Sequence, residues 1–131
     1  MLRNSQGILE VIGFSIAFLT FVYLMVYLLL TGWRKPRVLV IDDVRVIEAD
    51  YTARTFEEGI AALKVGGPWA LLYLDHDLGD PDPSKTGYDI INFLEANPKL
   101  LPGRIVLVTS NPVGRKKMQV VIDKLYGRDY Q

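Results

Sequence analysis

Residues 70–79 read Ala70-Leu71-Leu72-Tyr73-Leu74-Asp75-His76-Asp77-Leu78-Gly79, an apolar run that stops abruptly in acid. Upstream, Val38-Leu39-Val40-Ile41-Asp42-Asp43 repeats the arrangement. Short continuous apolar runs suit the strands of a parallel sheet, buried on both faces. A third run, Arg104 to Val108, leads into Thr109-Ser110-Asn111, and a weaker extended stretch lies near Val46 to Ala53.

Helical patterns fill the intervals. Thr55 begins one, with Glu58 three residues on as a capping box and Phe56, Ile60 and Leu63 on one face. Gly66-Gly67-Pro68 ends it. A loop rich in Gly, Pro, Asp and Ser (residues 79–87) precedes a helix from about Tyr88, which turns Ile90, Ile91 and Leu94 inward and stops before Pro98. Asn111 is the expected cap of the last helix, with Pro112 in its first turn. Met118, Val121, Ile122 and Leu125 follow with i, i+3, i+4, i+7 spacing, and Gly127 closes the helix. Alternating strands and helices predict an α/β domain over residues 38–131, with helices on both faces of the sheet. No helix is expected between the first two strands.

The first quarter of the chain is of another kind. From Val11 to Trp33 no residue is charged. As a helix this run is about 34 Å long, enough for a hydrocarbon core of about 30 Å. It is too long for the apolar part of a signal peptide, and no small-residue cleavage site follows. The expected division is a tail (1–10), a transmembrane helix (11–33) with Trp33 at the interface, a basic linker (34–37) and the α/β domain. Arg34, Lys35 and Arg37 crowd the C-terminal flank, against Arg3 and Glu10 on the other side. That bias predicts a cytoplasmic α/β domain on a single-pass anchor in the cell membrane. The absence of cysteine agrees with a reducing compartment. Gly13 and Ala17 offer a small-x-x-x-small contact for a homodimer through the membrane helix.

The formal net charge of zero conceals a split, because the residues after 37 carry 11 basic and 14 acidic side chains. A domain near −3 is poorly suited to nucleic acid, and none is expected as partner.

In open parallel sheets ligands bind beyond the carboxyl ends of the strands. Asp42, Asp43 and Arg45 follow the first strand, Asp75, His76 and Asp77 the third, and Thr109, Ser110 and Asn111 the fourth. Asp is also a common turn residue. Several acids at adjoining strand ends nevertheless repel unless a cation or proton intervenes, and their hard oxygens suit Mg²⁺ or Mn²⁺. His76, the one histidine, lies between two acids and is suited to proton transfer near neutral pH. Arg115 stands in the first turn of the last helix, where exposed amides could help hold a phosphate. Lys116 and Lys117 read as a solvated basic turn.

The series VLVIDDVR, ARTFEEGI, LLYLDHDLGD, TGYDIINFLE and NPVGRKKM, over about residues 37–125, resembles the cyclic-phosphate-processing receiver-like family, an offshoot of the response-regulator receiver fold. The resemblance implies a small flavodoxin-like parallel sheet flanked by helices, with the first crossover helix missing. It implies metal-dependent processing of a cyclic phosphate on a nucleotide or nucleotide-derived small molecule. Asp42, Asp43 and Asp75 would then bind the metal, and His76 and Asp77 would form an acid–base pair, with Asp75 also counted in the catalytic group. Arg45, Asn111 and Arg115 would contact phosphate, joined by Thr109 and Ser110 at the end of the fourth strand. The family pattern carries a second histidine where this chain has Val108. That difference leaves a catalytically weak ligand-binding or signalling module as the alternative. A phosphoacceptor receiver modified at Asp75 fits less well, since no apolar strand followed by Lys occurs beyond residue 109.

Overall fold

The computed structural model describes residues 3–32 and 34–127. Trp33, the expected interfacial residue, and the segment 128–131 lie outside the described residues. The chain divides into two units, Met1–Lys35 and Pro36–Gln131.

The first unit is one helix, α1 (Arg3–Thr31). Residues 3–10, expected as a tail, continue the same helix. Its Gln6–Thr31 stretch is long and apolar enough to cross a membrane by length and composition. Two of its hydroxyls bond back to the helix backbone: Thr20 Oγ1 donates to the Ile16 carbonyl at 2.8 Å and Thr31 Oγ1 to that of Tyr27 at 2.6 Å. Such bonds to the preceding turn satisfy the hydroxyls within the helix itself.

The second unit is built on β1 (Val38–Ile41), β2 (Tyr51–Ala53), β3 (Leu71–Leu74) and β4 (Arg104–Leu107). All pairings are parallel, in the order β2-β1-β3-β4. Helices α2 (Phe56–Val65), α3 (Gly87–Ala96) and α4 (Pro112–Leu125) follow β2, β3 and β4. The receiver-like architecture expected from the sequence is present, and β1 passes to β2 without a helix.

Strand order decides where the helices lie. The steps β2→β3 and β3→β4 move one way across the sheet; β1→β2 moves the other way. Right-handed crossovers therefore set α2 and α3 on one face and residues 42–50 on the opposite one. Packing agrees. Leu39, Ile41, Ala53, Leu72, Leu74, Ile105 and Leu107 share one core with Leu63, Ile91, Leu94, Met118 and Ile122 from the helices, and α4 packs beside α3. The expectation of helices on both faces is thus corrected: no helix of this unit covers the second face among the described residues. Residues 44–50 alternate there between exposed and half-buried, as an extended segment does. Only Tyr51–Ala53 of the expected Val46–Ala53 stretch enters the sheet.

Local signals explain the helix starts. Thr55 Oγ1 accepts from Glu58 N at 3.2 Å, but the Glu58 carboxylate accepts from Arg54 N, one residue before the cap. The reciprocal capping box belongs instead to α3, between Thr86 and Asp89. Gly87 sets the height of α3 against β3. A Cβ there would fall 1.9 Å from the Asp75 carbonyl oxygen, while Gly87 N donates to the His76 carbonyl at 2.8 Å.

Candidate metal and acid–base site

The reversal of winding direction between β1 and β3 opens a crevice at their carboxyl ends. Asp42 and Asp75 stand on its two sides, tied together by the Asp75 N–H donating to the Ile41 carbonyl at 3.0 Å. Asp42 is wholly buried and Asp75 nearly so. Both are fully engaged. Asp42 Oδ1 accepts the N–H groups of Val44 and Arg45 at 2.9 and 2.7 Å, and Asp75 Oδ1 accepts that of His76 at 2.7 Å. The remaining oxygens share one partner: Arg45 Nη1 donates to Asp42 Oδ2 at 2.9 Å and to Asp75 Oδ2 at 2.7 Å.

Burial alone would raise the Asp42 pKa, but hydrogen bonds from the Arg45 backbone, the Arg45 guanidinium and the Val44 N–H outweigh it and hold the carboxyl below its ordinary value. The same pairing, with Asp42 and then Asp75, raises the pKa of Arg45.

Asp43 completes the acidic group. One carboxylate oxygen from each of Asp42, Asp43 and Asp75 lies within 4.8 Å of the other two. Gly79, at φ 66°, permits this approach, since a Cβ on it would meet Asp43 Oδ2 at 2.8 Å. Three hard anionic oxygens near one point fit Mg²⁺ or Mn²⁺ and would suit softer metals poorly. These residues could hold such an ion.

His76 follows directly. Its Nδ1 lies 2.8 Å from Asp77 Oδ1, and Asp77 Oδ2 is 3.5 Å from Asn111 Nδ2. Asn111 in turn caps α4 by accepting the Gly114 N–H at 2.9 Å. The α4 start thereby fixes the imidazole through a carboxylate, which leaves Nε2 free when Nδ1 carries the proton. Gly114 makes room: a Cβ there would lie 2.5 Å from His76 Cδ2. His76 forms one wall of a groove of about 620 Å³, with Thr86, Tyr88, Asp89 and Lys117 also lining it.

The residues expected on phosphate are dispersed. Arg45 is held at the carboxylates and Asn111 at Asp77. Arg115 donates to the carbonyls of Leu107 and Thr109 at 3.2 and 2.6 Å, and it lines a second groove of about 650 Å³ with Thr109, Ser110 and Lys116. Thr109 is buried, its Oγ1 accepting the Asn111 N–H at 3.1 Å.

Arg54 escaped the sequence reading. Its Nη1 donates to the carbonyls of Asp42 and Arg45, at 2.9 and 2.6 Å, and so braces the turn that aims Arg45. The available signal was its place directly after β2, a strand end like the others.

A family model described as Cyclic-phosphate processing Receiver domain matches residues 37–124. The chain belongs to that family. The matched span contains every residue of the acidic group, the His76–Asp77–Asn111 series and both grooves of this cyclic-phosphate processing Receiver domain. No curated protein and no solved structure matches the chain.

Proposed function

We propose that this chain is a membrane-anchored, metal-dependent phosphoesterase that opens a cyclic phosphate on a nucleotide or nucleotide-derived small molecule. One observation carries the reading: the acidic group and the oriented His76 meet at the ends of β1 and β3, with Asp75 and His76 adjacent in sequence.

Asp42, Asp43 and Asp75 would hold the ion, which when bound polarises phosphoryl oxygens and offsets their charge. The chain's own part is proton handling. His76 Nε2 accepts a proton from water as its oxygen bonds to phosphorus, one ring P–O bond breaks, and Nε2 returns the proton to the leaving oxygen. The product is a phosphomonoester, and no electrons change hands. Asp77 and Asn111 hold the ring in place through both transfers.

A long apolar α1 supports the anchor, and the basic cluster Arg34, Lys35 and Arg37 supports a cytoplasmic domain. The Gly13–Ala17 spacing supports pairing of anchors.

The test is direct. Full-length protein with Mg²⁺ or Mn²⁺ is incubated with cyclic nucleotides and cyclic-phosphate sugars and followed by ³¹P NMR. Conversion to monoester is expected; a wholly intact panel defeats the enzymatic reading. Arg45 on the acidic oxygens, together with Val108, favours the second reading of a ligand-binding or signalling module. Calorimetric binding of a nucleotide without turnover would select it.

A further inference from the structure

The groove walled by His76 takes one side from the opening turn of α3 and the other from α4. Tyr88 and Val121 pack against the core and line the groove, and Val120, 55% exposed, lines it as well. Its charges are opposed. Asp89 comes from α3 and Lys117 from α4, yet no ion pair joins them or engages either one among the described residues. The capping box fixes what Asp89 offers. Thr86 donates its N–H and its Oγ1 hydroxyl to Asp89 Oδ2, at 3.1 and 2.6 Å. One oxygen is thus committed to the helix start and holds the carboxylate in one orientation. The other, Oδ1, accepts no hydrogen bond among the described residues.

We propose that this groove holds an amino-bearing nucleobase, so that the cyclic phosphate presented to His76 belongs to a nucleotide that keeps its base. The placement of the phosphate rests on the phosphoesterase reading; the base subsite does not. A groove of about 620 Å³ is of small-ligand size. An ionised carboxylate only accepts hydrogen bonds and an ammonium only donates them. A ligand that spans both needs a donor and an acceptor on one rigid edge, and a flat face for Tyr88. A sugar has no such face. Cytosine and adenine set an exocyclic amino group beside a ring nitrogen that accepts. The amino group donates to Asp89 Oδ1, as cytosine does to carboxylates elsewhere. Lys117 Nζ donates to the ring nitrogen, and the ring stacks on Tyr88 beside Val120 and Val121. Uracil carries a carbonyl where cytosine has its amino group, so two acceptors would face each other.

The test uses nucleosides, which carry no phosphate. Full-length protein in detergent, without metal, is titrated with cytidine, adenosine, uridine and ribose and followed by NMR of the Tyr88 ring and the Val120 and Val121 methyls. Cytidine and adenosine should shift these signals, uridine should bind about tenfold more weakly, and ribose should shift nothing. Tyr88→Ala should weaken cytidine about tenfold, and Tyr88→Phe should keep it. Asp89→Asn retains a carbonyl oxygen for the Thr86 cap but turns a donor toward the ligand, so the preference for cytidine over uridine should vanish. Equal binding of cytidine and uridine by the unaltered protein overturns the proposal, as does a nucleoside titration that leaves the groove signals still. Nucleoside binding beside an intact cyclic-phosphate panel keeps the subsite and defeats only the phosphoesterase. Turnover of base-free cyclic-phosphate sugars without nucleoside binding does the reverse.

Discussion

Arg45 Nη1 stands 2.7 Å from Asp75 Oδ2 and 2.9 Å from Asp42 Oδ2, so a single guanidinium nitrogen spans the ends of two strands. These oxygens belong to the same acidic group that could hold an ion. Arginine and a divalent cation therefore compete for one negative centre. Arg45→Gln should bind Mn²⁺ on the order of tenfold more tightly by calorimetry, equivalent to about 1.4 kcal/mol. Without metal the variant should melt lower, because two carboxylates then face each other uncompensated. Weaker Mn²⁺ binding in the variant would show that Arg45 supports the ion instead.

Acid should loosen the fold through Asp42. Its folded pKa lies below the ordinary 3.8, so the ionised form is favoured in the native state. That stabilisation is fully present above 3.8 and is lost as pH falls through the lower, folded value. Glu57, lowered mainly by its bond from Lys85, and Asp82, lowered mainly by Ser84, act with the same sign. Denaturant melts across the acid range should show falling stability, with a shallower fall in Arg45→Gln. Equal slopes would remove Asp42 from the account.

Gly114→Ala separates geometry from stability. The new methyl would lie 2.5 Å from His76 Cδ2 and must displace the imidazole. Alanine favours a helix over glycine by about 1 kcal/mol, so the melting temperature should hold. Turnover should drop by roughly tenfold to a hundredfold, and the His76 ring resonances should shift. Unchanged turnover with unchanged resonances would mean the ring has another place to go.

Gly87→Ala should behave in the opposite manner. Its Cβ would meet the backbone oxygen of Asp75 at 1.9 Å, and neither α3 nor β3 can yield without repacking. A loss of about 2 kcal/mol or more is expected in chemical denaturation. A wild-type midpoint would show that α3 can slide along the sheet.

Much of this arrangement was legible beforehand. Strands are recognisable in VLVI and LLYL because a buried parallel strand needs no polar alternation, and their acidic ends mark where the sheet meets ligand. The convergence of Asp42, Asp43 and Asp75 needs in addition that β1 and β3 be neighbours, which the family resemblance implied and the strand pairing shows. The single-sided placement of helices was hidden, since it depends on strand order and crossover hand, and periodicity carries neither. The partners of Arg45 and Arg115 were hidden for another reason. A long side chain chooses between carboxylates, carbonyls and solvent by the local path of the turn, which residue type does not specify. Arg54 was lost because the three residues of β2 leave a faint strand signal, so the residue after it did not read as a strand end.

The helix-free passage from β1 to β2 also bears on how the chain folds. It spans 42–50, whereas 42–70 separates β1 from β3. Closing the shorter loop is easier by about 1 kcal/mol of chain entropy, so the β1–β2 pair is the cheapest contact in the sheet to nucleate. Asp42 and Arg45 lie inside that shorter loop. Their ion pair and the turn that governs the acidic oxygens thus close within a local segment and do not depend on the longer excursion through α2 that delivers Asp75.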